Sequence, residues 1–309
     1  MQQHDEQIRI VVTGPMKSAS TFTAEALRRY FGAELSNRDL RRYYWTAEQN
    51  ITQDFLDDVR GRSFAVNLHV RPYRHNLEAA RAAGIRFVVV WRNLADVIVS
   101  FDDHIRADAT GNPMFYVADR ARYLTLARHD RYAYLIDNVV PWNIGFYLAW
   151  RREGVVLHAY EQLVRAPLQF IDAIVRSVGT GSDRTRLAAA LPRHGPDVRF
   201  NVGTTDRAAV AFSEANRRHL ERVVIDHPQR HELEILLWEL PWAVPALKPS
   251  GPFDGKLVTD AGGAAYFVSR NVRRRIPDAG WLASRRRRPA AVRLGDLEID
   301  AIPEGLPLV

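Results

Sequence analysis

Four short apolar runs alternate with longer helical patterns along this 309-residue chain. The runs are IRIVVT (8–13), SFAVNLH (63–69), IRFVVVW (85–91) and GVVLHAY (154–160). They are apolar throughout rather than alternating, which is typical of strands buried on both faces of a parallel sheet. A helix after each strand implies right-handed crossovers. The sequence therefore predicts an α/β fold, a three-layer sandwich with a central parallel sheet.

Helices are predicted next to these strands, over residues 20–31, 75–83, 94–106, 143–152 and 161–178. In an open parallel sheet, ligands bind beyond the carboxyl ends of the strands. The residues that directly follow each strand are therefore the candidates for a functional site.

The texture of the sequence changes after Trp242. Prolines and glycines crowd residues 241–252 and indicate a linker. The segments KLVTD, AAYFVS and AVRLG beyond it predict a small β-rich C-terminal appendage. We therefore predict two domains, a core over residues 1–247 and the appendage over residues 248–309.

Composition narrows the class of protein. The net charge of +7 suits an anionic ligand without demanding nucleic acid. The chain has no cysteine, which excludes disulfides, thiolate catalysis and cysteine metal sites and fits a reducing compartment. The N-terminal MQQHDEQIR is too polar for a secretory signal, and the apolar stretch at 135–150 is too polar to span a bilayer. We expect a soluble, cytoplasmic protein.

The loop GPMKSASTF (14–22) joins the first strand to the first helix. A Walker A loop, G-x-x-x-x-G-K-[ST], would place its lysine at residue 20, but this loop carries it at Lys17. Backbone N–H groups at a helix N-terminus bind anions, and Lys17, Ser20 and Thr21 would add a positive charge and two hydroxyls. The alternative is a plain strand–turn–helix connection with a capping serine.

Two further segments follow strands. In RNLADVIVSFDDH, Arg92 and Ser100 suit a phosphate, because a guanidinium binds phosphate in a bidentate manner. In NLHVRPY, His69 ends the second strand and is a candidate general base, with His104 as the competing histidine. Taken alone, Arg92 would more often be a surface arginine at a helix start, and a lone histidine is more often a structural or surface residue.

Together these segments resemble the sulfotransferases that use 3′-phosphoadenosine 5′-phosphosulfate (PAPS). GPMKSASTF resembles that family's 5′-phosphosulfate loop, near G-x-P-K-S-G-T-T-W, and RNLADVIVSFDDH resembles its 3′-phosphate motif, R-N-P-x-D-x-x-V-S-x-x-x-H. NLHVRPY is similar to the T-H-L-P segment that carries the base, and VVLHAYEQLVRAPLQFIDAIVRSVG resembles the Y-E-D-L segment and its helix. Order and spacing agree over roughly the first 240 residues.

The resemblance implies a P-loop-like nucleotide-binding core and sulfuryl transfer from PAPS to an acceptor hydroxyl, without a metal. His69 would be the catalytic base, and Lys17 would meet the bridging oxygen as negative charge develops there. Phe22 would stack on the adenine, and Tyr160 would line the nucleotide pocket. The implied donor-binding residues are Lys17, Ser18, Ala19, Ser20, Thr21, Phe22, Arg92, Ser100, Tyr160 and Gly203.

The chain departs from the family pattern at two informative places. Ala19 stands where the family loop has glycine, which puts the shape of the turn in question. Asn201, Val202 and Gly203 stand where the family has R-K-G. The second anchor of the 3′-phosphate is therefore open, with Arg199 and Arg207 as candidates.

Two other functions were weighed. An ATP-dependent small-molecule kinase needs a Walker lysine and a magnesium-binding aspartate after a strand, where this chain has Arg92. A nucleic-acid-binding module is suggested by the arginine runs at 273–275 and 285–288, but these lack interleaved aromatics and fit solvated basic faces better. We expect no nucleic-acid partner and no membrane span.

The acceptor is not specified by these motifs. Its pocket is predicted from residues 37–53 and 111–137, which are rich in aromatics and arginine. A small molecule, a carbohydrate and a lipid all remain open, and so does the oligomeric state.

Overall fold

The computed structural model describes residues 7–43, 47–107, 117–179, 181–192, 204–229, 233, 253, 256–269, 272–276, 291–295, 298–299 and 302. These residues form two compact units, Met1–Arg207 and Ala208–Val309.

The first unit is built on a four-stranded parallel sheet. Its strands are β1 (Arg9–Thr13), β2 (Phe64–Asn67), β3 (Arg86–Trp91) and β4 (Leu157–Ala159). They lie in the order β2-β1-β3-β4, and every neighbouring pair is parallel. Each of the four predicted runs supplies one strand, so the carboxyl ends of all four meet at one edge of the sheet.

Helices cover both faces of this sheet. Ile10 and Val12 of β1 pack with the helices that begin at Ser20 and Pro167. Val11 packs on the opposite face, with the helices that begin at Gln53 and Arg74. The helices of the first unit are α1 (Ser20–Phe31), α2 (Gln53–Asp58), α3 (Arg74–Ala82), α4 (Leu94–Ala107), α5 (Arg120–Thr125), α6 (Arg128–Arg152), α7 (Tyr160–Arg165), α8 (Pro167–Ser177) and α9 (Arg184–Ala190), with a 3₁₀ turn at Arg41–Tyr43. Two more helices, α10 (Arg207–Ala211), whose first residue ends the first unit, and α11 (Glu214–Ile225), belong to the second unit. The predicted three-layer α/β sandwich is confirmed.

Two predicted helices have the wrong extent. The helix predicted over 143–152 begins at Arg128 and continues through Pro141. An interior proline costs a helix about 3 kcal/mol, but α6 buries residues along its whole length, including Leu135, Val139 and Phe146, and this packing holds it together. The single helix predicted over 161–178 is two helices, because Pro167 begins a new one at its first position.

The second unit contains a small separate sheet. Its strands are β5 (Leu257–Thr259), β6 (Ala265–Ser269), β7 (Val272–Arg275) and β8 (Ala291–Arg293), in the order β7-β6-β5-β8. Val258, Val268 and Leu294 form its core. The predicted β-rich appendage is confirmed, although VRRR was not expected to be a strand. The predicted boundary between residues 247 and 248 lies outside the described residues and stays a prediction.

Within the described ranges, none of the helices combines the length and the apolar character needed to cross a membrane.

Candidate active site

The loop between β1 and α1 has an unusual backbone. A Cβ at Gly14 would lie 2.1 Å from the carbonyl oxygen of Val90, so only glycine lets the loop pass this close to β3. Lys17 and Ala19 both have left-handed backbones, with φ of 69° and 64°. Ala19 therefore adopts a left-handed conformation that only glycine reaches without strain, and the turn forms despite the methyl group.

One hydroxyl of this loop lacks a hydrogen-bond partner among the described residues. Ala19 is the N-cap of α1 but offers no side-chain hydrogen bond, and the first turn of α1 contains no acidic residue. The hydroxyl of Ser18 is buried without a hydrogen-bond partner in the described part of the chain. Ser20 is buried at the first helical position, and Thr21 is half-buried beside it. Three features together suit an anion: the first N–H groups of α1, which have no acceptor within the helix, the positive end of the helix dipole, and the unpaired Ser18 hydroxyl.

His69 lies two residues beyond the end of β2 and contacts this loop. Its Nδ1 lies 2.7 Å from the carbonyl oxygen of Gly14. Because a carbonyl oxygen only accepts, Nδ1 carries the proton in this contact, and in the neutral ring Nε2 is the nitrogen that takes up a proton. Burial lowers the pKa of His69 and the Lys17 charge lowers it further, while the Gly14 contact and the Glu48 carboxylate oppose them. His69 is therefore neutral at pH 7.

The backbone around His69 is held on both sides. Gln49 accepts from the His69 N–H through its side-chain oxygen at 2.7 Å and donates its own N–H to the His69 carbonyl at 3.0 Å. The Thr13 hydroxyl lies 3.0 Å from both the N–H and the carbonyl oxygen of Val70. The histidine thus stands on a segment fixed between β1 and residues 47–50.

Arg92 follows β3 directly and is buried among four contacts. Its guanidinium donates to the carbonyl oxygens of Lys17 at 3.4 Å and Thr204 at 3.2 Å. It also donates to the Asp96 carboxylate at 3.4 Å and lies 4.1 Å from the ring centroid of Tyr160. Arg92 thus contacts the β1–α1 loop, the start of α4, the start of α7 and the segment after residue 203.

Asn93, which lies between β3 and α4, fixes the start of α4. The Asn93 side chain accepts from the Asp96 N–H at 2.8 Å, which caps the helix. Asn93 also donates to the buried Glu161 carboxylate from its backbone at 3.0 Å and its side chain at 2.9 Å. Sequence reasoning did not assign Asp96 or Glu161 a role, although both lie inside the R-N-x-x-D and Y-E motifs.

The remaining predicted residues surround Arg92. Ser100 is buried in the second turn of α4. One turn further, Asp103 accepts a close hydrogen bond from Arg207, so Arg207 reaches the same helix. Tyr160 begins α7 beneath Arg92, and burial raises the pKa of its phenol. Gly203, Asn201, Val202 and Arg199 lie outside the described residues.

Phe22 and His104 are the remaining aromatic and histidine candidates. Phe22 is half-buried at the third position of α1 and packs against the core cluster that contains Tyr160. His104 is half-buried on α4, one turn beyond Ser100. Of the two candidate histidines, His69 is the one with a hydrogen bond to the loop.

A polar cluster next to His69 was missed by sequence reasoning. Glu48, adjacent to Gln49, accepts from Arg71 Nε at 2.7 Å and closely from the Trp142 indole N–H. The predicted acceptor segments include Glu48 but neither Arg71 nor Trp142. Elsewhere in the described ranges, no group of three or more His, Cys, Asp or Glu side chains is arranged to hold a metal ion.

Comparison with known proteins identifies the fold. No family model matches the chain, and no curated protein matches it by sequence. The crystal structure of the mouse sulfotransferase SULT7A1 complexed with PAP matches with a TM-score of 0.53 at 15% identity, covering 75% of this chain and 87% of that one. A sulfotransferase from Alicyclobacillus acidocaldarius covers 70% of this chain and 95% of its own at 14% identity, but its TM-score of 0.34 is too low to establish a common fold. The chain therefore has the sulfotransferase fold that its motifs predicted.

Proposed function

We propose that this protein transfers a sulfuryl group from PAPS to an acceptor hydroxyl. The proposal depends most on one observation, the hydrogen bond between His69 Nδ1 and the Gly14 carbonyl. It holds a neutral base against a loop built to receive an anion. An acceptor hydroxyl that meets the sulfur of PAPS at this edge of the sheet would find His69 already in position to take its proton.

In the proposed reaction, His69 Nε2 takes the proton of the acceptor hydroxyl as its oxygen attacks sulfur. A bond forms between that oxygen and sulfur, and the bond between sulfur and the 5′-phosphate oxygen breaks. Lys17 and the N–H groups at the start of α1 stabilise the negative charge that develops on the leaving oxygen. The product keeps the sulfuryl group, and the proton stays on His69 until solvent removes it.

The donor would be held at two places. Lys17, Ser18, Ala19, Ser20 and Thr21 would contact the 5′-phosphosulfate through backbone and hydroxyl groups. Arg92 and Ser100 would contact the 3′-phosphate, with Phe22 and Tyr160 beside the nucleotide. These roles are supported by the clustering of the loop, Arg92 and Tyr160 around common contacts.

Arg207 is the better candidate for the second 3′-phosphate anchor. It reaches Asp103, one turn beyond Ser100, and it lies near enough to Tyr160 for its charge to lower the pKa of that phenol, as the charge of Arg92 also does. In this proposal, Arg207 takes the place of the arginine in the absent R-K-G element.

Phosphoryl transfer from ATP is the weaker candidate, because Arg92 occupies the strand exit where a magnesium-binding aspartate would be needed. Calorimetry with PAP (adenosine 3′,5′-bisphosphate) and with ATP plus magnesium separates the two. We expect PAP to bind tightly and ³⁵S-labelled PAPS to be consumed when a hydroxyl acceptor is present. Preference for ATP–magnesium over PAP would contradict the proposal. Cytoplasmic location and the lack of a nucleic-acid partner stay predictions.

A further inference from the structure

Asn143 is an unusual residue in the interior of α6. Its side chain is 1% exposed, and neither its oxygen nor its nitrogen has a hydrogen-bond partner among the described residues. Buried carboxamides are normally hydrogen-bonded, because removing both polar groups from water without replacement costs free energy. Asparagine is also less favourable than most residues in a helix interior. A residue that is poor for the helix and unsatisfied in the core indicates a partner outside the chain.

The position of Asn143 relative to the sheet follows from its helical face. Asn143, Tyr147 and Trp150 are spaced i, i+4 and i+7, so they lie on one side of α6. The Trp150 ring lies 4.9 Å from that of Phe87, near the start of β3, and the Tyr147 ring lies 5.8 Å from that of Trp91, its last residue. One further turn toward the N-terminus carries Asn143 past the carboxyl end of β3, the edge at which His69 and Arg92 lie.

The turn of α6 that carries Asn143 is tied to the histidine segment. Arg71, two residues after His69, donates to the carbonyl oxygen of Trp142 at 3.2 Å. Arg71 and the Trp142 indole both donate to Glu48, which precedes the Gln49 that holds His69. A Cβ at Gly145 would lie 3.2 Å from the Arg71 guanidinium, so glycine allows this close approach. Asn143 therefore lies in the same turn of α6 as Trp142 and Gly145, which contact the Arg71–Glu48 pair next to the His69 segment.

We propose that Asn143 binds the acceptor and that the acceptor carries a second hydroxyl next to the one that is sulfated, as in a sugar or another vicinal diol. A carboxamide both donates and accepts, and so does a hydroxyl, so one neighbouring hydroxyl would satisfy both atoms of Asn143. An alcohol with a single hydroxyl would leave them unsatisfied. This inference rests on the proposed function, whose acceptor class it narrows.

The binding test uses the natural chain labelled with ¹⁵N-asparagine and saturated with PAP. The probes are cyclohexanol and trans-1,2-cyclohexanediol, which share one ring and differ by one hydroxyl, together with methyl α-D-glucopyranoside. The Asn143 side-chain resonance is assigned by its absence in Asn143→Leu. We expect the diol and the glucoside to shift this resonance and cyclohexanol to leave it unchanged. A resonance that responds to none of the three, or equally to all, overturns the inference.

The kinetic test measures sulfuryl transfer to the same probes. Natural protein should prefer the diol over cyclohexanol by roughly 10- to 100-fold in kcat/KM, the value of one or two satisfied buried polar groups. Asn143→Leu should reduce this ratio to about two, the statistical factor for two hydroxyls, while its affinity for PAP stays unchanged. Asn143→Ala serves as a second variant, and Asn138→Leu as the matched control, because Asn138 is exposed on the same helix and bonds to Tyr134.

The outcomes separate the two levels of the proposal. A protein that fails to bind PAP contradicts the proposed function and this inference with it. A protein that binds PAP and transfers the sulfuryl group but treats the two ring alcohols alike contradicts this inference alone. The same holds if Asn143→Leu keeps the full preference for the diol, since the carboxamide would then be a buried defect without a role in recognition.

Discussion

The two regions proposed to hold the donor phosphates are built in opposite ways. At the β1–α1 loop, the Ser18 hydroxyl has no partner among the described residues, and the N-cap Ala19 provides no side-chain hydrogen bond. At the start of α4, Arg92 is already engaged by Asp96, by two carbonyl oxygens and by the Tyr160 ring. The first region keeps an unpaired hydroxyl, whereas the second engages both terminal guanidinium nitrogens of Arg92 and leaves only its Nε without a partner among the described residues.

This difference indicates how each region would respond to a ligand. At the loop, an anion can accept from the Ser18 hydroxyl without breaking a hydrogen bond that this hydroxyl makes to the described residues. Arg92 would have to exchange partners, and its contacts at 3.2–3.4 Å are long for charged hydrogen bonds. The loop should therefore contribute binding without a change in the protein, whereas Arg92 should couple binding to rearrangement of its own neighbours.

The largest effect should come from the residue between these regions. His69→Ala should reduce sulfuryl transfer by roughly 10²- to 10⁴-fold, the usual contribution of a positioned base. Affinity for PAP should change little, because His69 is assigned to neither phosphate. The matched control is His104→Ala, which should retain activity. Near-normal turnover in His69→Ala, measured with labelled PAPS, would show that another group is the base.

The pH profile tests the same residue. The pKa of His69 is lowered, so the neutral base is present above that pKa, and activity should rise with pH below about 6.5 and be level above it. Buried His158 must be separated from this effect, because burial lowers its pKa to about 4. Because the pKa of His158 is lower in the folded than in the unfolded chain, its contribution to the free energy of unfolding is fully present above a pH of about 6.5. That contribution is lost as the pH falls toward 4. Thermal unfolding of His158→Phe across this range measures that contribution to stability. We expect the pH dependence of activity to differ from it.

The second region should be broken by Arg92→Ala. We expect PAP affinity to fall by roughly 10- to 100-fold, as for the loss of hydrogen bonds to a charged group. Adenosine 5′-monophosphate, which lacks the 3′-phosphate, should bind the variant and the natural protein alike. Calorimetry with both nucleotides checks this, and equal losses for the two would remove Arg92 from the 3′-phosphate site.

Asp96→Asn sharpens the same point. Losing its carboxylate partner would leave Arg92 buried without compensation, so the ligand-free variant should unfold at a lower temperature. PAP should restore more stability to this variant than to the natural protein, since the 3′-phosphate would replace the missing charge.

Arg207→Ala should weaken PAP binding less than Arg92→Ala does.

The sequence predicted what depends on local pattern. Buried strands are recognisable as apolar runs, and the motif residues follow them, so the loop, His69 and Arg92 were expected at one edge of the sheet before any contact was known. Pro141 indicated a break in α6, but tertiary packing overrode that local cost. Gln49 bonds to a residue 20 positions away, and the missing partners of Asn143 depend on what surrounds it. Such contacts have no local signal, which is why Arg71, Trp142 and Asn143 were not among the predicted site residues.

The first region should be weakened by Ser18→Ala. The Ser18 hydroxyl has no partner in the described residues, so its removal should leave the ligand-free unfolding temperature unchanged or raise it. PAP affinity should fall by about 10-fold if the hydroxyl donates to the 5′-phosphate. Thr23→Val is the control, because Thr23 has an equally buried, unpaired hydroxyl one turn further into α1. If both variants bind PAP normally, the Ser18 hydroxyl is not a donor contact.

The smallest effect concerns the shape of the loop. Ala19 has φ of 64° and ψ of 23°, a left-handed conformation that costs a residue with a side chain about 1–2 kcal/mol. Ala19→Gly removes this strain but loses the contact of the methyl group with the core and adds about 0.5–1 kcal/mol of backbone entropy to the unfolded chain. The net result should be a small gain in the free energy of unfolding, with PAP affinity unchanged because the N–H groups remain. Arg29→Gly, at an exposed helical position of α1, should lose about 1 kcal/mol in the same denaturant titration. Opposite signs for these two glycine substitutions would verify that the loop holds its anion site through a backbone shape that alanine adopts under strain, and a loss in both would contradict it.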